Sequence, residues 1–228
     1  MAGVIAFNYK TYDNVFGTAA EKYAMALREV ASIHSEVTII ACPPQLELAA
    51  TARKFPSTKN FWVFAQNADP VGFGSRTGWT PVEAVAASGA VGTLVNHAEH
   101  KVPLDTARKV VEQAKKSGVK VIACAADLKE AKDLAALAPW AVAVEPPELI
   151  GSGVSVSKAQ PEIVKKAVAV IKETNPAVLA LVGAGVSNAE DVRKAVQLGA
   201  EGVLLASAFV KAANPKEFAE SLAEAAAD

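Results

Sequence analysis

The sequence has 228 residues, of which 51% are hydrophobic and 21% charged, a composition that excludes a disordered chain. Its 23 basic and 24 acidic residues nearly balance, so we expect no nucleic acid or anionic membrane as a partner. The two cysteines share no motif, which argues against a disulfide framework or a zinc site and favours a reducing, cytoplasmic location.

Short apolar runs recur along the chain and predict eight strands. The first run begins almost at once, so we expect no secretory signal, and no run approaches the roughly 18 residues that cross a bilayer. Most runs are rich in β-branched residues and apolar on both faces, which is typical of parallel strands buried on two sides. The runs are Val4–Phe7, Val37–Ala41, Phe61–Ala65, Thr93–Val95, Val119–Ala123, Ala141–Val144, Val178–Val182 and Gly202–Leu205.

Helical patterns separate these runs. Ala107, Val110, Val111 and Ala114 follow the spacing of a helix with one buried face. Gly118 and Gly199 are placed to end helices, and Asn188 is placed to cap the start of one. The predicted helices are Thr18–Ser32, Leu104–Ser117, Leu128–Leu137, Pro161–Thr174, Ala189–Leu198 and Pro215–Ala227.

The alternation predicts an α/β protein with one (β/α)8 barrel domain over residues 1–228. Eight units in 228 residues give about 28 residues each, which suits a barrel of this kind. An open, doubly wound sheet is the alternative, but no G-x-G-x-x-G follows the first strand. The stretch 66–81 is rich in Gly and Pro and long for a connection, so we expect it to serve function or contacts.

Polar and glycine-containing segments follow several of the predicted strands. In a (β/α)8 barrel these positions share the end where chemistry occurs, and loops after the last two strands often bind phosphate. Each residue alone could be a solvated or structural side chain, and each glycine a tight turn. The segments are Asn8–Lys10, Asn96–Glu99, Glu145–Glu148, Gly183–Gly185 and Ala206–Ser207.

The segment after Glu145 has the composition of a lid. Pro146 and Pro147 stiffen one end, Gly151 and Gly153 loosen the other, and the tip 148–151 is partly apolar. Such a segment can close as a unit, with the backbone change confined to its ends. An ordinary surface loop is the alternative.

Taken together and in order, these segments resemble the triosephosphate isomerase family, particularly its short archaeal form. The resemblance runs over essentially the whole chain, although any one segment alone is weak. The matching segments are Phe7–Tyr12, Ala65–Asn67, Gly92–His100, Ala143–Gly151, Gly183–Ser187 and Gly202–Ser207.

The resemblance implies a role for each polar residue. Glu145 would move a proton between adjacent carbons through an enediolate, and His97 would polarise the carbonyl as the electrophile. Lys10 would hold the substrate phosphate, Asn8 would bind near the reacting oxygens, and Glu99 would pair with Lys10. This family is itself an established case of a glutamate base working beside a neutral histidine.

Other implied features complete the expectation. Ile150 would shield the site from water, while Gly185, Ala206 and Ser207 would donate backbone N–H groups to phosphate. The substrates would be dihydroxyacetone phosphate and D-glyceraldehyde 3-phosphate, as in glycolysis and gluconeogenesis, without a metal or organic cofactor. A homo-oligomer is expected, at least a dimer with a tetramer as the alternative, because the family's equivalent of loop 66–81 reaches a neighbouring subunit.

Two positions depart from the family pattern. Ala98 stands where the family usually has a serine that holds the resting base, and Ala208 stands where glycine is frequent. Two other functions stay open at this point: another phosphate-binding barrel, such as an indole or thiamine pathway enzyme, and a non-catalytic barrel that binds phosphate or a protein.

Overall fold

Eight parallel strands close into one barrel in a computed structural model that describes residues 3–145 and 161–227. Each strand pairs with its sequence neighbours, and β1 pairs with β8 to complete the ring. The predicted (β/α)8 barrel is therefore confirmed. The strands are β1 Val4–Asn8, β2 Thr38–Cys42, β3 Phe61–Ala65, β4 Gly92–Val95, β5 Lys120–Ala125, β6 Ala141–Val144, β7 Leu179–Val182 and β8 Gly202–Leu205.

Helices on the outside of the barrel connect these strands. None of the described helices has both the length and the apolar character needed to cross a membrane. The described helices are α1 Thr18–Ile33, α2 Leu48–Lys54, α3 Val82–Ala87, α4 Leu104–Ser117, α5 Leu128–Ala136, α6 Pro161–Thr174, α7 Ala189–Gln197, α8 Ser207–Val210 and α9 Pro215–Ala227. Short 3-10 turns occupy Asp13–Val15 and Gln45–Glu47.

The predicted helix boundaries agree closely with the structure where a cap is present. Gly118 ends α4 with a left-handed φ of 67°, a conformation that glycine adopts without a Cβ penalty. The side chain of Asn188 accepts a hydrogen bond from the Asp191 backbone N–H, which caps α7 as predicted. The short helices α2, α3 and α8 were not predicted, because a helix of so few residues shows no clear helical periodicity in its sequence.

Aromatic side chains fill the barrel interior near the amino-terminal ends of the strands. Trp62 and Phe64 stack with ring centroids 6.2 Å apart, and Trp140 meets the Trp62 ring edge-on at 5.3 Å. Gly92 has no Cβ because that atom would lie 2.3 Å from the Phe64 ring. Since this end is filled by large side chains, the opposite rim is left for a site.

Both cysteines are free and fully buried in the barrel interior. Cys42 ends β2 and Cys124 lies in β5, so each is a small apolar side chain of the inner core. Burial raises the pKa of both thiols well above the ordinary value, which keeps them protonated and chemically inert.

Candidate active site

The carboxyl ends of the strands bring most of the predicted polar residues to one rim. Asn8 ends β1, His97 is the second residue after β4, and Glu145 comes directly after β6. A cavity of about 660 Å³ opens at this rim, and Asn8, Lys10, His97 and Glu99 all line it. The remaining lining residues are Thr11, Gln45, Gln66, Asn67, Asp69, Thr77, Gly78, Trp79, Thr80 and His100.

Lys10 is held in a backbone conformation that costs energy. Its φ of 52° is left-handed, which is unfavourable for a residue with a Cβ. The Lys10 backbone N–H donates to Asn8 Oδ1 at 2.9 Å, and Gln66 Nε2 donates to the Lys10 carbonyl at 3.0 Å. With the backbone in this conformation, the Lys10 ammonium group lies 2.6 Å from Glu99 Oε1, as the resemblance implied.

Hydrogen bonds define the tautomer of His97. The Glu99 backbone N–H donates to His97 Nδ1 at 3.1 Å, so Nδ1 carries no proton and the ring is a neutral imidazole protonated on Nε2. The Nε2–H group faces Glu145 Oε1 at 3.1 Å. The 3.7 Å separation between His97 Nδ1 and Glu99 Oε2 is therefore not an ion pair.

Glu145 is a buried carboxylate with both oxygens engaged. Only 2% of the residue is exposed, and burying a carboxylate is costly unless it is hydrogen-bonded. Oε1 faces His97 Nε2, and Oε2 accepts a hydrogen bond from the Ala98 backbone N–H at 3.2 Å. A Cβ on Gly183 would lie 2.6 Å from Glu145 Cγ, so the glycine leaves space for this side chain.

The expected phosphate-binding residues follow the last two strands. Gly185 has a left-handed φ of 70°, Ala206 precedes α8, and Ser207 is the first residue of that helix. They lie at the same barrel end as the cavity because all eight strands are parallel, although they do not appear among its described lining residues. The predicted lid residue Ile150 lies outside the described residues.

Sequence reasoning gave no role to Gln66, Asn96 or Glu130. Gln66 bridges the carbonyls of Lys10 and Cys42, and Asn96 hydrogen-bonds Glu130 at 2.8 Å. For Asn96 and Glu130 the sequence did contain a signal that could have indicated a structural role. Asn tolerates a left-handed φ better than most residues, and the Asp127–Glu130 spacing is that of a helix capping box.

At position 98, where the family usually has a serine, the backbone N–H of Ala98 contacts Glu145 in place of the missing hydroxyl. The Ala98 N–H still contacts Glu145 Oε2, so the resting carboxylate keeps one partner from this residue. We expect Ala98→Ser to raise the turnover rate or leave it unchanged, because the hydroxyl would add a contact to the resting base only. Steady-state rates of the two proteins test this, and a large loss in Ala98→Ser would contradict it.

The fold and the rim define a (β/α)8-barrel protein with an acid–base site, where a neutral imidazole faces a buried carboxylate beside an ammonium group. Within the described residues, no group of three or more His, Cys, Asp or Glu side chains is arranged to hold a metal ion.

Comparison with known proteins identifies the family. The family model described as Triosephosphate isomerase matches residues 3–225. The triosephosphate isomerase of Methanothermus fervidus is 42% identical over 219 residues, covering 96% of each chain. That of Methanocaldococcus jannaschii is 42% identical over 94% of this chain and 95% of its own, and that of Archaeoglobus fulgidus is 43% identical over 96% of each. The chain therefore belongs to the triosephosphate isomerase family, a family of isomerases, and the resemblance to its archaeal members is confirmed.

Proposed function

We propose that this chain interconverts dihydroxyacetone phosphate and D-glyceraldehyde 3-phosphate through an enediolate. The observation that carries the proposal is the 3.1 Å contact between Glu145 Oε1 and the Nε2–H of His97 beside the cavity. A base and a neutral hydrogen-bond donor, held this close, are the two groups that proton transfer next to a carbonyl requires.

Glu145 acts as the base on carbon. It takes the proton from the carbon beside the carbonyl, while His97 Nε2–H donates to the carbonyl oxygen and stabilises the charge that develops there. His97 then moves a proton between the two oxygens, and Glu145 returns its proton to the neighbouring carbon. In the resting arrangement these two residues contact each other, so the substrate has to enter between them.

Asn8 and Lys10 orient the substrate. Asn8 Oδ1 already accepts from the Lys10 backbone, so the amide nitrogen is the group of Asn8 that can donate to a substrate oxygen. The Lys10 ammonium supplies positive charge for the phosphate, and Glu99, 2.6 Å away, holds that ammonium at the rim. A cation so placed also lowers the free energy of the anionic intermediate.

The phosphate itself is bound by the backbone N–H groups of Gly185, Ala206 and Ser207, and Ile150 has the role of excluding water, as the resemblance implies. Gly185 allows close approach because it has no Cβ at a left-handed φ. Exclusion of water strengthens the electrostatic interactions within the site and protects the enediolate. Residues 1–228 act as one catalytic domain, in the cytoplasm and in glycolysis and gluconeogenesis, without a cofactor.

A coupled assay tests the function in both directions. Purified protein with either triose phosphate, and an excess of the matching dehydrogenase, is expected to turn over at a rate proportional to its concentration. The rate should be unaffected by a chelator, because no step requires a metal. Absence of turnover by clean, folded protein in both directions would sink the proposal.

We also propose that the chain forms a homo-oligomer through loop 66–81, a dimer at least. Phe73 is 71% exposed and Trp79 is 52% exposed in this loop, which is costly in water. Trp79 also lines the cavity wall with Thr77 and Thr80, so a neighbouring subunit at this loop would complete the site.

Light scattering at several concentrations tests the assembly. The mass is expected to be at least twice the 23.6 kDa of one chain, and four times that mass would identify a tetramer. A Phe73→Ser, Trp79→Ser variant is expected to dissociate, whereas Leu104→Ser, which changes a 47% exposed residue elsewhere, should not. A single-chain mass at every concentration would contradict the proposal.

A further inference from the structure

The segment after β4 carries His97 and Glu99, and one asparagine holds it at both ends. Asn96 is 3% exposed and has a left-handed φ of 61°. Its Oδ1 accepts from the Val102 backbone N–H at 3.0 Å, which closes the segment into a loop. Its Nδ2 donates to the Cys124 carbonyl at 2.8 Å, which ties the loop to β5.

Glu130 on α5 completes this network. Oε1 accepts from Asn96 Nδ2 at 2.8 Å, and Oε2 accepts from the Ala126 backbone N–H at 2.6 Å. The Lys101 ammonium lies 2.5 and 2.6 Å from the two oxygens. Burial alone would raise the pKa of Glu130, but the hydrogen bonds from Ala126, Lys101 and Asn96 outweigh it and lower the pKa.

Glu130 lies outside the reaction cavity. It lines a different cavity of about 410 Å³ on the outer side of the barrel, together with Lys101 and Leu104. It therefore has no direct contact with the reaction cavity, and it reaches the segment that carries His97 through Asn96 and Lys101. The same residue also belongs to a helix cap, because its backbone N–H donates to Asp127 Oδ1 at 2.7 Å.

We propose that Glu130, acting through Asn96, is a positioning residue that fixes the orientation of the His97 imidazole. The inference rests on the proposed role of His97 as electrophile. The backbone turn at Asn96 sets where His97 begins, and the same turn presents the Glu99 N–H to His97 Nδ1. A network that pins this turn to β5 and α5 therefore controls both the place and the tautomer of the ring.

Glu130→Ala removes three contacts of the network at once. Asn96 Nδ2, the Ala126 N–H and Lys101 all lose their carboxylate partner, while Asn96 keeps Cys124 and Val102. The turn can then rotate, and a misplacement of about 1 Å in a catalytic group can cost about 10²-fold in rate. We expect kcat to fall by about 10- to 100-fold while KM changes less than about 2-fold, because the backbone N–H groups proposed to bind the phosphate follow β7 and β8. Lys10, although it pairs with Glu99, is also held by Asn8 and Gln66.

Two further variants grade the effect. Glu130→Gln has one acceptor oxygen in place of two, so it can satisfy either Asn96 or Ala126 but not both, and its loss in kcat should be intermediate. Lys101→Met leaves the Asn96–Glu130 bond intact and should cost least. Asp133→Asn is the matched control, because it breaks an exposed ion pair with Lys129 on the same helix without touching the loop.

Nitrogen NMR of histidine-labelled protein supplies a readout that is independent of activity. His97 Nδ1 is expected to move from its non-protonated position toward the tautomer-averaged value in Glu130→Ala, whereas His34, which follows α1 and lies away from this loop, stays fixed as the internal reference. Thermal melts of each variant report on folding.

The outcomes separate a positioning role from a purely structural one. Lower thermal stability with an unchanged His97 resonance, and unchanged kcat per folded molecule, would overturn the inference and leave Glu130 as a helix cap. If His97→Gln keeps wild-type turnover, it is the proposed catalytic role of His97 that fails, and not the positioning role of Glu130. The NMR comparison still decides in that case whether Glu130 holds the ring.

Discussion

Replacing Glu145 with glutamine is expected to lower kcat by about 10³-fold, within the range that a positioned general base contributes. Glutamine has the same shape, and its oxygen can still accept from the Ala98 N–H. Its amide group would then face the Nε2–H of His97, donor against donor, in place of the present 3.1 Å contact. The coupled assay measures the loss, and thermal melting shows whether the variant stays folded.

Glu145→Asp separates position from basicity. The carboxylate is retained but withdrawn by one methylene, and a shift of about 1 Å is expected to cost about 10²-fold in kcat. Glu112→Gln is the control, since Glu112 is an exposed partner of Arg108 on α4 and should leave the rate unchanged. Turnover at the wild-type level in Glu145→Asp would show that Glu145 is not the base.

The barrel could be predicted because its strands are buried on both faces. Runs such as Phe61–Ala65 and Ala141–Val144 are apolar throughout, so hydrophobicity alone gives their bounds. The ends of strands at the rim are harder to predict, because the residues there are polar. β1 extends to Asn8 and not only to Phe7, since the ladder with β2 continues through the Asn8–Cys42 pair.

The residue types of the candidate site, and through the resemblance the pairing of Lys10 with Glu99, could also be predicted, but the other internal contacts of the site could not. Lys10 and Glu99 are 89 residues apart, and Asn96 and Glu130 are 34 apart, so only the closed barrel brings these pairs together. Contacts made by the backbone are invisible in a sequence, because every non-proline residue has an N–H group. The N–H of Ala98 on Glu145 is such a contact, and it gives the carboxylate a partner at the position where the family usually has a serine.

Gly183→Ala is expected to damage the site by displacing Glu145. The new Cβ would lie 2.6 Å from Glu145 Cγ, closer than Cβ atoms approach, and 3.3 Å from the Val144 carbonyl oxygen, which is a tight contact. The backbone of Gly183 is not left-handed, so the substitution introduces no conformational strain and its effect is steric. Because Gly183 donates to the Val144 carbonyl at 2.8 Å, β7 cannot easily retreat and the glutamate side chain has to move.

A double-mutant cycle isolates that displacement. Gly183→Ala alone is expected to lower kcat about 10- to 100-fold through a shift of the carboxylate, and to cost about 1–3 kcal/mol of stability as overpacking. In a Glu145→Ala background Cγ is gone, so the same substitution should then cost almost no stability. Equal destabilisation in both backgrounds would place the clash at Val144 and not at the glutamate. The contact would then lie between β6 and the end of β7, and Gly183 would serve the packing of the barrel strands and not the position of Glu145.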